Sequence, residues 1–426
     1  MIVTGVNRGL RGTARVPGDK SISHRALMHA ALSPDVSVLE NVLDAGVTRA
    51  MVRVLQAVGV SIEQTGTRFV VRGGDLRSPG ADLDCGNSGT TMRLLLGVLA
   101  GRDGLSATVT GTPGLQRRPM GRVVQPLNAM GANIVGDFAP LRLRGGRLRG
   151  IAHRTEVASA QVKAALLLAG LQAEGPTTIH EPGPSRDHSE RMLRALGVDV
   201  QSSGHSVTLL PPTGPLPPTQ LTMPGDISAA AFVIGAAAIT PGSEVQIPAV
   251  GVNPTRTGLL DVLLEMGADI VLENPRTVGG EPLADVRVRY APLRGVTVSG
   301  ATVVRMIDEF PIFAVIASRA EGVTVVREAE ELRYKESDRI AALAGELRKL
   351  GVAMDEQPDG FRVVGGQRLT GGAVNSHGDH RLAMSLAVAG LVAESAVQVT
   401  VAEAMDESFP GFVAVLQGLG ADAVFG

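Results

Sequence analysis

Three lysines hold the residues best suited to chemistry in this chain. Lysine occurs four times against 36 arginines, and Lys20, Lys163 and Lys335 sit in PGDKSISHR, SAQVKAALLLAG and RYKESDR, polar clusters at the starts of helix-like stretches. An ammonium is a compact point charge whose pKa moves on burial, whereas a guanidinium is a planar fork that grips phosphate and carboxylate in pairs. Arg25, Arg93, Arg118, Arg186, Arg339 and Arg381 stand in similar clusters, together with the carboxylates Asp226, Asp308, Glu336 and Asp379. Several cations point to a ligand carrying phosphate and carboxylate groups. Carboxylates among those cations point to proton transfer.

Other chemistries lack their residues. No GxxxxGK[ST], no GxGxxG after a strand and no HExxH occurs. A single cysteine, Cys85, excludes a disulfide framework and a zinc cluster. Aromatic residues make up 3% and Trp is absent, which argues against nucleic acid held on stacked rings. The longest apolar runs reach about half of the ~20 residues a membrane span needs. MIVTGVNRGL lacks the basic and apolar blocks of a signal peptide. The expectation is a soluble, cytoplasmic, globular protein that works without a membrane. Residues 1–224 hold 24 Lys and Arg against 16 Asp and Glu, and residues 225–426 hold 16 against 26. Two halves of opposite sign suggest two domains, and the positive one suits an anionic ligand.

Positioning elements recur at intervals. A Leu-x-x-apolar-Gly-(Ala/Val) phrase occurs six times, with its glycines at Gly59, Gly131, Gly197, Gly267, Gly351 and Gly420. Each phrase ends an amphipathic stretch of helical period, and glycine there accepts the left-handed backbone of a C-cap. An alternating strand or hairpin follows, as in VDVQSSGHSVTLL. A second helix type, apolar nearly all round, also occurs six times: SHRALMHAAL, GTTMRLLLGVLAG, AQVKAALLLAGLQ, ISAAAFVIGAAAI, EFPIFAVIASRA and HRLAMSLAVAGL. A helix without a polar face belongs in a core. The pattern predicts an α/β protein of two similar domains, three units each, with the apolar helices inside a shell of sheets and outer helices. Domain exchange is expected near 17–20 and 222–226, giving one domain from 18–224 and another from 1–17 with 225–426.

All six apolar helices open on polar residues, where backbone N–H groups and a partial positive charge favour anions. One such cluster alone is ordinary capping. Six, three of them with lysine or His-Arg alongside, make an anion cradle without a P-loop.

At these motifs the chain resembles the 3-phosphoshikimate 1-carboxyvinyltransferase (EPSP synthase) family. PGDKSISHRAL, GNSGTTMRLL, LQRRPMGRV, SAQVKAALLLAGL, SRDHSERML, PGDISAAAF, NPTRTG, RYKESDRIAALAGELRKLG and GDHRLAMSLAVAGL match its signature segments in order, from about Lys20 to Pro410. GDK, SAQVK, RDHSE and NPTR together look like the second class of the family, often less sensitive to glyphosate. The resemblance implies a two-domain inside-out α/β barrel of six repeats that closes on shikimate 3-phosphate and phosphoenolpyruvate. It also implies no cofactor, no metal, no nucleic acid and a monomer.

By position, it implies that Lys20, Ser21, Arg25, Ser159, Ala160, Gln161, Ser185, Arg186, Asp308 and Lys335 meet shikimate 3-phosphate. Lys20, Asn87, Gly89, Arg118, Gln161, Arg339 and Arg381 meet phosphoenolpyruvate. Asp308, Glu336 and Lys20 form the catalytic group: Asp308 as base toward the 5-hydroxyl, Glu336 as acid toward the methylene, and Lys20 neutralising the departing phosphate. Two positions depart from the family pattern: Ala160 stands where many relatives have serine, and Glu407 where some have a lysine before Ser408-Phe409-Pro410. Two alternatives share parts of this pattern. An enolpyruvyltransferase acting on UDP-N-acetylglucosamine usually carries a reactive cysteine in the loop that here reads GTPGLQRRPMG. An RNA-phosphate-binding protein on the related fold would need the aromatic residues this chain lacks.

Overall fold

The structure, a computed structural model, describes residues 1–6 and 8–424. They divide into two compact units: Gly18–Pro224 with Thr277–Glu281, and Met1–Pro17 with Gly225–Arg276 and Pro282–Gly426. The short segment Thr277–Glu281 comes from the second half of the sequence, where 225–426 was expected to be one piece.

In the first unit the strands form three four-stranded sheets and one two-stranded pair. Gln220–Thr222 runs parallel to Ser37–Glu40, which pairs antiparallel with Arg68–Arg72, and that strand pairs with Ser61–Thr65. Leu83–Asp84, Ser106–Thr110, Leu141–Arg144 and Asn133–Val135 repeat this order, as do Ala152–Arg154, Thr177–His180, Ser206–Leu209 and Val200–Ser203. The strands alternate as a half-buried sheet requires. In Leu141–Arg144 both leucines are buried and both arginines exposed.

The second unit shows related sheets. Thr297–Val298, Val323–Val326, Gly360–Val364 and Ala353–Gln357 keep the same order. In another sheet Gly372–Asn375 runs parallel to Val397–Thr400, and Ile2–Thr4 takes the third position, antiparallel to both Val397–Thr400 and Asp422–Val424.

The apolar stretches are buried helices. Lys20–Leu32, Gly89–Ala100 and Ala160–Gly170 lie in the first unit, and Ile227–Ile239, Phe310–Arg319 and His380–Gly390 in the second. Ile227–Ile239 is buried at every position. Gly97 lets the Gly89–Ala100 helix lie directly on Ala160–Gly170, since an added Cβ would collide with the Ala165 carbonyl. The glycines of the six recurring phrases have φ between +79° and +118°, as left-handed C-caps do. Among the described residues no helix is long and apolar enough to cross a membrane.

Candidate active site

Both units place their polar residues at the starts of buried helices. In the first unit, Asp19 caps Lys20–Leu32 by accepting the Ile22 N–H at 2.9 Å. Lys20 and Ser21 therefore occupy the first turn, half-buried, and Arg25 lies one turn deeper and fully buried. The Arg25 guanidinium is spread over three segments. Its Nε donates to Ser189 Oγ (2.8 Å), Nη1 to the Ser21 carbonyl (3.0 Å) and Nη2 to the Ala160 carbonyl (3.3 Å). Burial pulls its pKa down to about 10, against the pull of Glu190, so it stays charged at neutral pH.

Ser159 caps Ala160–Gly170, and its own N–H donates to Glu181 Oε1 at 3.2 Å. Gln161 in the first turn donates to Thr90 Oγ1 (2.9 Å) and accepts from Arg93 Nη1. Ser88 caps Gly89–Ala100 through the Thr91 N–H. A Cβ on Gly89 would stand 3.0 Å from Arg93 Nη1 and 3.6 Å from Arg118 Nη1, so the bare backbone of Gly89 faces two guanidinium groups. Asn87 accepts from Thr112 Oγ1 at 3.4 Å. Ser185 and Arg186 lie half-buried just before the His188–Ala195 helix, and the Ser185 hydroxyl is shut off from water without a hydrogen-bond partner among the described residues.

The second unit gathers carboxylates around arginines. Asp379 caps His380–Gly390 through the Arg381 N–H (2.9 Å) and accepts from Arg339 Nε at 2.8 Å. Arg339 Nη2 donates to Glu336 at 2.8 Å, and Nη1 stands 3.8 Å from Asp308. Burial alone would lower the Arg339 pKa, but Asp379, Glu336 and Asp308 together raise it above the usual guanidinium range. Burial likewise pushes Asp379 up, and Arg339 overrides it, so that carboxyl is held below the usual range. Arg381 donates from Nη1 to the Asp308 carbonyl (3.0 Å), and its Nη2 lies 3.7 Å from the Asp308 carboxylate. Asp308, Glu336, Arg339 and Arg381 thus form one cluster. Lys335, half-buried, pairs with Glu331 at 2.6 Å.

Several partners were not legible as such. Lys163 is buried between Glu181 (2.8 Å) and Glu190 (2.7 Å). Burial would lower its pKa, and the two carboxylates raise it instead. The sequence signal that could have found Glu190 in RDHSE is a glutamate on the buried side of an amphipathic helix. Glu309, fully buried, accepts from Ser228 Oγ, which in turn accepts from Arg256 Nη2 at 2.8 Å.

Comparison with known proteins bears on this arrangement. The family profile of EPSP synthase (3-phosphoshikimate 1-carboxyvinyltransferase) matches residues 5–416. A 3-phosphoshikimate 1-carboxyvinyltransferase of Desulforudis audaxviator (strain MP104C) is 52% identical over 423 residues, covering 97% of each chain. One from Synechococcus sp. (strain RCC307) is 50% identical over 416 residues, covering 95% of each. Among solved structures, an EPSP synthase from Acinetobacter baumannii superposes with a TM-score of 0.91 at 40% identity, covering 98% of each chain. The enolpyruvyl transferase NikO from Streptomyces tendae shares the fold, with a TM-score of 0.81 at 21% identity over 99% of this chain and 97% of its own. The fold is the α/β fold of the solved EPSP synthase structure. The chain belongs to the EPSP synthase (3-phosphoshikimate 1-carboxyvinyltransferase) family.

Proposed function

We infer that this chain transfers the enolpyruvyl group of phosphoenolpyruvate to the 5-hydroxyl of shikimate 3-phosphate and releases phosphate. Arg339 carries the reading: one buried guanidinium touches both Glu336 and Asp308, the candidate acid and base. The cation that would hold the phosphoenolpyruvate carboxylate is therefore tied to the two groups that move protons.

The 5-hydroxyl attacks C2 while C3 takes a proton, giving a tetrahedral centre that bears both the new ether oxygen and the phosphate. Loss of a proton from the new methyl group expels phosphate and restores the double bond. Asp308 takes the hydroxyl proton, and Glu336 delivers and later removes the proton at C3. In the structure Glu336 is fixed as an acceptor from Arg339. A substrate carboxylate on Arg339 would compete for that bond and ease protonation of Glu336. Lys20 and Arg118 neutralise phosphate charge as it develops, and Asn87, Gly89, Gln161 and Arg381 complete the phosphoenolpyruvate contacts. Ser21, Arg25, Ser159, Gln161, Ser185, Arg186 and Lys335 bind shikimate 3-phosphate, with Ala160 contributing through its backbone.

On the same reading the six four-stranded sheets and six buried helices form an inside-out barrel of six repeats, three per domain, hinged near 17–20 and 222–226. The enzyme acts as a cytoplasmic monomer without metal, cofactor or nucleic acid. Asp308→Asn and Glu336→Gln test the roles. Each should lower kcat by about 10²- to 10⁴-fold with a far smaller change in either KM. Near-wild-type turnover in either variant removes that residue from the mechanism.

A further inference from the structure

A cavity of about 300 Å³ opens in the first unit among Leu32, Asp75, Arg102, Leu171, Gln172 and Leu216. Leu32 ends the Lys20–Leu32 helix, Arg102 follows Gly89–Ala100, and Leu171 and Gln172 follow Ala160–Gly170. The cavity therefore lies a helix length, roughly 16–20 Å, from Lys20, Gly89 and Ser159. It shares no residue with the site described above.

Its polar groups are left incomplete. The Arg102 side chain makes no hydrogen bond and no ion pair among the described residues, and its Nε is shut off from water. Burial pulls the Arg102 pKa down, with Asp75 partly offsetting it. Asp75 is exposed and makes no ion pair of its own within the described residues. Gln172 has its amide fixed, because Nε2 donates to the Val98 carbonyl (3.0 Å) and the Leu168 carbonyl (3.3 Å). That leaves Gln172 Oε1 buried without a donor. A half-buried guanidinium lacking an acceptor costs stability. The ends of three helices nearby add partial negative charge, which favours a cation.

We propose that this cavity binds a small zwitterion with an apolar side chain, an aliphatic α-amino acid. Its carboxylate pairs with Arg102, its ammonium faces Asp75, and its side chain packs on Leu32, Leu171 and Leu216. The volume equals that of about ten waters and stands at the lower end of ligand pockets, which suits so small a molecule. A molecule carrying only one of the two charges leaves the opposite group unanswered, so it binds less well.

Calorimetric titration of the full-length enzyme with L-leucine, 4-methylpentanoate and isoamylamine tests this. L-leucine should bind in the millimolar range, and each singly charged probe at least about tenfold more weakly. Arg102→Met and Asp75→Asn should each weaken L-leucine by about tenfold or more while leaving turnover unchanged. Circular dichroism and the urea midpoint establish that both variants are folded; Asp75, being exposed, tolerates its change whatever happens at Arg102. No L-leucine binding to the wild type overturns the proposal. So does equal binding of all three probes, or unchanged L-leucine binding in both variants.

Discussion

At Gly89 a single hydrogen atom separates a usable site from a crowded one. An added methyl would stand 3.0 Å from Arg93 Nη1 and 3.6 Å from Arg118 Nη1, so at least one guanidinium must shift. Gly89→Ala should raise the KM for phosphoenolpyruvate, and should raise the inhibition constant of the bulkier glyphosate by a larger factor. Inhibition kinetics on the two proteins decide it: equal factors, or a rise in KM alone, mean that Gly89 is not a steric gate. Lys163 makes a different kind of claim. Its ammonium is the only ion-pair partner described for either Glu181 or Glu190, and Glu181 also receives the Ser159 N–H. Lys163→Met strands two buried carboxylates and should cost about 3–5 kcal/mol of unfolding free energy. Adding Glu190→Gln should return part of that. Urea denaturation of the single and double variants measures both, and a Lys163→Met protein as stable as wild type contradicts the assignment.

Among the elements, the buried helices were the most legible from sequence, because a run such as ISAAAFVIGAAAI has no polar face to offer water. Their C-capping neighbours were equally plain, since Gly59 or Gly351 after an amphipathic stretch has few other uses. Strand partners were less so. Nothing local in IVT tells that Ile2–Thr4 pairs with Val397–Thr400 and Asp422–Val424, a contact decided by tertiary packing. Nor does VGGE announce that Thr277–Glu281 clusters with Gly18–Pro224, where Glu281 meets His188 Nδ1 at 2.8 Å. At the site, motif residues could be read as polar helix starts, but their partners could not: Lys163 is a cation in the sequence and a clamp only in the fold. The Lys20–Leu32 helix also carries a titratable weakness. His29 is buried, its Nδ1 has no hydrogen-bond partner among the described residues, and burial holds its pKa down to about 3. The unfolded chain thus takes the proton first as pH falls. The stability from keeping His29 neutral is complete above about pH 6.5 and is lost progressively between about 6.5 and 3. His29→Leu should therefore lose less stability than wild type on going from pH 7 to pH 5, by about 2 kcal/mol. Parallel urea midpoints at the two pH values check this, and identical pH slopes contradict it.

Over the whole molecule, the fold alone does not choose the co-substrate. Function lives in the site grafted on a fold, so the choice rests on particular residues. The charge distribution narrows that choice: 24 cationic against 16 acidic side chains in residues 1–224 suit an anionic partner. Ser21, Arg25, Ser159, Gln161, Ser185 and Arg186 all fall in that stretch. The most direct measurement is nuclear magnetic resonance of the reaction in D₂O, with phosphoenolpyruvate and either shikimate 3-phosphate or UDP-N-acetylglucosamine. With shikimate 3-phosphate, the account predicts one phosphate released per enolpyruvyl ether formed at the 5-oxygen. It also predicts deuterium in the product's methylene group, because C3 passes through a methyl. With UDP-N-acetylglucosamine it predicts no turnover. Phosphate release only with the nucleotide sugar, or a shikimate product without deuterium at the methylene, would contradict it.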